Sequence, residues 1–80
     1  MDISRNPAEY TYSTHAVQQY KYRKIGKDVV HDAIRNGKVT PAAESHQREF
    51  VYEIPHLENP IGVIVDCETK TIITVEFVKD

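Results

Sequence analysis

Eighty residues with a formal net charge of −2 and 40% apolar content describe one small globular domain. No apolar run approaches the roughly 20 residues that span a bilayer. The opening MDISRNPAEY lacks the charged-then-apolar pattern of a secretion signal, so a cytoplasmic protein without membrane association is expected. A chain this short buries only a modest share of its surface, so any site should be a groove or an edge rather than a pocket enclosing a cofactor.

Residues 1 to 8 read as a flexible arm of this single domain. EYTYS then alternates aromatic and polar residues, as a short strand with Tyr10 and Tyr12 on one face would. Ser13 or Thr14 is placed to cap a helix. In that helix Ala16, Val17, Tyr20 and Lys24 share one arc, His15, Gln18, Gln19 and Tyr22 face the other way, and Arg23 lies at the boundary. Gly26 is expected to end it. A second helix, KDVVHDAIRNG, carries the stripe Val29, Val30, Ala33 and Ile34. Asp28 suits its positive end and Arg35 its negative end, with Gly37 as a left-handed cap.

After Gly37 the period changes from 3.6 to 2. KVTPAA reads as a short strand that Pro41 restricts to an edge or a bulge. REFVYEI places Phe50, Tyr52 and Ile54 on one face and Glu49, Val51 and Glu53 on the other. PHLENP is a loop, and IGVIVDC and TIITVEFV form a closing hairpin. Pairing Val65 with Ile73, Val63 with Val75 and Ile61 with Phe77 puts all six apolar residues on one face. Asp66, Ile64, Thr74 and Glu76 then lie on the far face, beside Glu49 and Glu53. The pattern predicts an α+β domain: a short N-terminal strand and two helices packed on one face of a three- to four-stranded antiparallel sheet.

Charge is uneven along the chain. Residues 18 to 48 carry seven Lys or Arg against three acids, and residues 49 to 80 carry two against seven. A basic half suits a polyanion and an acidic half a cationic partner.

Four histidines (His15, His31, His46 and His56) make no close pair at metal-ligand spacing, and Cys67 stands alone. No metal site or other cofactor is expected. No phosphate-cradling glycine loop and no Gly-x-Ser-x-Gly turn is present. His15 is the leading candidate for chemistry. Imidazole exchanges protons near neutral pH, and the first turn of a helix draws phosphate toward it. Arg23 follows two turns later, flanked by Lys21 and Lys24. An acid or base beside cations that clamp a phosphodiester is the minimum apparatus for RNA cleavage without metal. Tyr22, Tyr52 and His46 offer stacking surfaces or an acid.

The stretch STHAVQQYKYRKIGKDVVHDAIRNGKV resembles the opening of a family of small bacterial and archaeal domains. Their pattern runs His-Ala, Arg four and eight residues after the His, Ile, a polar cap, an acid, Val and a closing Asn-Gly. These domains are grouped with the RelE-like and colicin-like ribonuclease toxins, the barnase–EndoU–colicin–RelE superfamily. Here the pattern falls on His15, Ala16, Arg23, Ile25, Asp28, Val29 or Val30, Ile34 and Gly37, and the likeness continues loosely through the strands. The resemblance implies a RelE/barnase-like fold, metal-independent RNA cleavage, His15, Arg23 and Thr74 as catalytic candidates, and an antitoxin-like protein partner. The first family arginine is Gln19 in this chain, which can hydrogen-bond a phosphate but brings no charge. RNA is expected along the first helix and its edge, at Gln19, Lys21, Tyr22, Lys24, Arg48 and Tyr52. The acidic face formed by Glu49, Glu53, Asp66 and Glu76 would repel RNA and suit a basic antitoxin tail or another protein. Two other readings stand beside the ribonuclease. One is a non-catalytic module of the same fold that binds protein or nucleic acid. The other is a structural protein whose exposed strand edge forms a homodimer.

Overall fold

The computed structural model describes residues 3–78. The elements run as a 3₁₀ turn (Pro7–Glu9), β1 (Thr11–Tyr12), α1 (Thr14–Tyr22), α2 (Lys27–Asn36), β2 (Lys38–Pro41), β3 (Gln47–Tyr52), β4 (Ile61–Asp66) and β5 (Thr71–Phe77). The expected α+β class and the two helices on one sheet face are both present. The sheet is larger than expected: five strands in the order β1-β5-β4-β3-β2, with β1 parallel to β5 and the other pairs antiparallel. A two-residue strand has no periodicity of its own, and its partner lies 60 residues on, so neither its pairing nor its direction shows in the sequence.

Residues expected as a loose arm are tied down where they are described. Arg5 Nη1 donates to the carbonyls of Gly37 (2.9 Å), Arg35 (3.1 Å) and Ile34 (3.5 Å), satisfying the open end of α2. Its guanidinium also lies 5.7 Å from the Phe50 ring centroid. The Tyr10 hydroxyl donates to the Ser4 carbonyl at 2.7 Å.

Ser13 is the cap of α1. Its Oγ accepts from the Ala16 amide (3.0 Å) and donates to the Ile73 carbonyl (2.9 Å), so one hydroxyl starts the helix and ties it to β5. The helix ends before Gly26. The Ile25 amide donates to Tyr20 O (2.9 Å) and the Lys24 amide to Lys21 O (3.1 Å), the paired bonds of a Schellman cap. Lys24, not a glycine, occupies its left-handed position (φ 57°). Buried Ile25 and Tyr20 close the motif. Gly26 instead precedes α2 as its N-cap in extended geometry. Gly37 is also extended (φ −70°, ψ 160°) rather than left-handed. It is required by close approach: a Cβ there would meet Ala33 O, Val51 O and Phe50 Cβ.

The predicted stripes build the core. Ala16 and Tyr20 of α1 and Val30, Ala33 and Ile34 of α2 pack with Phe50, Ile61, Val63, Val65, Ile72 and Val75. The hairpin register holds at Ile61–Phe77 and Val63–Val75, then shifts at Ile64/Val65 so that Val65 faces Ile72 rather than Ile73. This bulge gives β5 one extra residue and buries Ile72 completely, leaving Ile73 half-buried. The following turn is held by the Asp66 carboxylate, which accepts from the amides of Glu68 (2.8 Å) and Thr69 (3.0 Å). Pro41 ends the outer strand β2, the edge position expected for it.

Candidate functional site: a groove on the open sheet face

The helices leave the other sheet face uncovered. Across it Glu49, Ile64 and Thr74 form one row, and Val51, Gly62 and Glu76 form the next. Gly62 supplies no side chain, and the Glu49 carboxylate lies over it, in the space a Cβ at position 62 would need. Glu76 stands directly opposite Gly62 on β5. Burial, and then the nearby charge of Glu76, push the Glu49 carboxyl above the usual carboxylate range. No ion pair to Glu49 or Glu76 forms among the described residues.

These residues line a groove of about 890 Å³, with Ile64, Ala42, Ala43, Asn59 and Phe77 as further walls. Arg23 closes one rim. As the C-terminal residue of the α1 cap it is half-buried, and its guanidinium lies 5.9 Å from the Phe77 ring centroid. Its Nε is buried without an acceptor among the described residues. No hydrogen bond there fixes the side chain; stacking on Phe77 holds it. Arg23 and Phe77 also border a second, apolar hollow of about 380 Å³, formed by Ile25, Gly26, Val29, Ile54 and Leu57 with Lys24 and His56 at its rim.

The expected catalytic residues divide between two places. Arg23 borders the groove, and Thr74 lies on the same face, in the row of Glu49 and Ile64. His15 is exposed in the first turn of α1, eight residues before Arg23, and lines neither the groove nor the hollow. The expected nucleic-acid residues are also dispersed. Lys21, Tyr22 (81% exposed) and Lys24 project from the end of α1, and Gln19 is half-buried beside them. Tyr52 packs against the core. Arg48 is near the opposite end of β3, where its guanidinium donates to the carbonyls of Ser45 (2.8 Å) and Gln47 (2.7 Å).

The acidic face is also reshaped. Asp66 is drawn into its turn, where backbone amides hold its carboxyl below the usual range, and His46 Nε2 lies 3.5 Å from it. Glu53 is exposed beyond β3. Glu49 and Glu76 are left as the groove's acids. Strand alternation places both on one face, but the signal for their meeting is Gly62 inside an otherwise apolar strand, a mark of close approach. Among the described residues no group of three or more His, Cys, Asp or Glu is positioned to hold a metal ion, and no helix is long and apolar enough to cross a membrane. Comparison with family models, curated proteins and solved structures gives no match.

Proposed function

We propose that this chain is a non-catalytic protein-binding module that uses its open sheet face, on a frame of the kind found in RelE-like and colicin-like ribonuclease domains. The observation that carries the reading is the groove on the open sheet face, which Glu49 and Glu76 line and His15 does not. RNA affinity rests on Lys and Arg neutralising phosphates, and this groove presents two carboxylates against one guanidinium. The homodimer reading has less support, because the outer strand β2 is four residues long and carries Lys38 and Pro41, both of which discourage edge pairing.

A second reading, a metal-independent ribonuclease held as a toxin by an antitoxin-like partner, is favoured by one arrangement: Arg23 borders the groove while Thr74 lies on the same face. RNA would then have to pass from Thr74 over Arg23 and along Lys21 and Gln19 to reach His15.

Incubation of the chain with single-stranded RNA in EDTA, alongside His15→Ala and Arg23→Ala, separates the two. The binding module leaves RNA intact and does not arrest growth when expressed alone. Cleavage or growth arrest that His15→Ala abolishes would overturn it in favour of the ribonuclease.

A further inference from the structure

The apolar hollow lies on the helix side of the sheet, and neither Glu49 nor Glu76 lines it. Phe77 stands opposite Ile61, a fully buried core residue, and Ile25, Val29, Ile54 and Leu57 complete the apolar walls. The α1 cap and the first turn of α2 supply one side, and the loop after β3 supplies the other. Leu57 is 44% exposed, and Val29, Ile54 and Phe77 are only partly covered.

The rim of this hollow is cationic. Arg23 and Lys24 line it together with His56, and no Asp or Glu does. Glu53 and Glu58 belong to a separate depression that shares Ile54 and Leu57, and Asp28 is turned against Gly26 within its own helix turn. Neither Arg23 nor Lys24 forms an ion pair among the described residues, and Arg23 Nε is a buried donor without an acceptor there. Lys24 also holds a left-handed backbone position (φ 57°) that glycine would occupy with less strain. A charged side chain thus stands on the rim where the backbone favours none.

Apolar walls take an apolar side chain, and two unpaired cations at the rim take carboxylates held next to it. The lining favours a polypeptide over other anionic partners. Four of its five apolar residues are aliphatic, and its one ring, Phe77, lies against the Arg23 guanidinium, so it offers no open aromatic platform for a base. The apolar surface is concave, unlike the raised apolar face that an interfacial helix lays into a bilayer.

We infer that the hollow binds an extended polypeptide segment in which a large apolar residue is flanked by Asp or Glu. The apolar side chain fills the space between Ile25, Val29, Ile54 and Leu57, and the carboxylates meet Arg23 and Lys24. The hollow shares only its Arg23–Phe77 border with the open-face groove, so this is a second docking surface that does not rest on the open-face reading.

The test is an amide-resolved NMR titration of the full chain with blocked peptides in a Gly/Ser background. One series carries a leucine with a glutamate on each side at several spacings. Control series replace the glutamates with glutamine or lysine, or the leucine with serine. Oligouridine RNA and phosphatidylglycerol vesicles are titrated separately. At least one glutamate–leucine peptide should shift the amides of Ile25, Gly26, Val29, Leu57 and Phe77 and leave those of Gly62 and Ile64 in place. The glutamine and serine controls should each bind about tenfold more weakly, the size of one lost charge-assisted or anchoring contact, and the lysine peptides should not bind. Arg23→Gln/Lys24→Gln should weaken the glutamate peptides until they match the glutamine peptides.

If any control series shifts the same amides as strongly as the glutamate–leucine series, the inference falls, and this comparison uses the unaltered protein. It falls equally if no peptide moves those amides, or if only RNA or vesicles do. Shifts confined to Gly62 and Ile64 would overturn it in favour of the open-face groove.

Discussion

The carboxylate of Glu49 occupies the space above Gly62 that any other residue's Cβ would claim. Burial there, and then the nearby charge of Glu76, lift its pKa. Because the folded pKa is raised, the contribution favours folding at low pH and is lost as pH rises through the folded pKa. Glu49→Gln should therefore make the protein more stable at neutral pH and flatten its stability profile across the carboxylate range, as followed by urea unfolding. Gly62→Ala should act on the same pair. Its Cβ would stand 2.9 Å from Val78 Cγ2 and expel the Glu49 carboxylate. The expected cost is about 1 kcal/mol, with the Glu49 carboxyl returning toward its ordinary range in a carbon-detected NMR titration.

Lys24 holds the left-handed position of the α1 cap, where a side chain clashes with its own backbone. Lys24→Gly should raise stability by about 1 kcal/mol, a gain of roughly 4–8 °C in Tm for a domain of this size. A loss of stability would show that the lysine stem, which borders the apolar hollow, contributes more by packing than its backbone costs.

Arg5 fastens the N-terminal residues to the end of α2 and stacks on Phe50. Arg5→Ala leaves those carbonyls to water and should lower stability by about 1–2 kcal/mol. Hydrogen exchange at the last turn of α2 should rise more than at β4, because the lost contacts are at the helix end.

Tyr10 and Tyr12 both have phenol pKa values pushed up to about 12, first by burial and then by neighbouring groups. The unfolded chain ionises near 10.0, so stability is fully present below that pH and is lost as pH rises to about 12. Alkaline unfolding in this window should be shallower in Tyr12→Phe. The Tyr12 hydroxyl is buried without a partner among the described residues, so the same substitution should also raise stability at neutral pH by about 1 kcal/mol. Circular dichroism melts at neutral and alkaline pH check both outcomes.

Much of the scaffold was legible in the chain. The stripe Val29, Val30, Ala33 and Ile34 fits only a helix with one buried face, and the alternations around Phe50 and Val63 fit only strands with one buried face. Hence two helices on one side of a sheet followed from periodicity. The bulge did not, because Ile72 and Ile73 are equally apolar and either could face the core. The left-handed Lys24 did not, because the turn it makes carries Ile25 into the core, a burial that no local propensity encodes. At the site, alternation placed Glu49, Ile64, Thr74 and Glu76 on one face. It could not show that Arg23 reaches the groove from a helix end while His15 faces elsewhere.

The sequence by itself determined which residues are apolar on which face of each element, since a periodicity of 3.6 or 2 is a local property that burial must respect. The tertiary structure alone decided which elements meet: β1 beside β5, Arg5 on α2, and Arg23, Glu49 and Glu76 around one groove. Those meetings join residues up to 60 positions apart. They are selected by the packing of the whole chain, because closing long loops costs entropy that only the complete core repays.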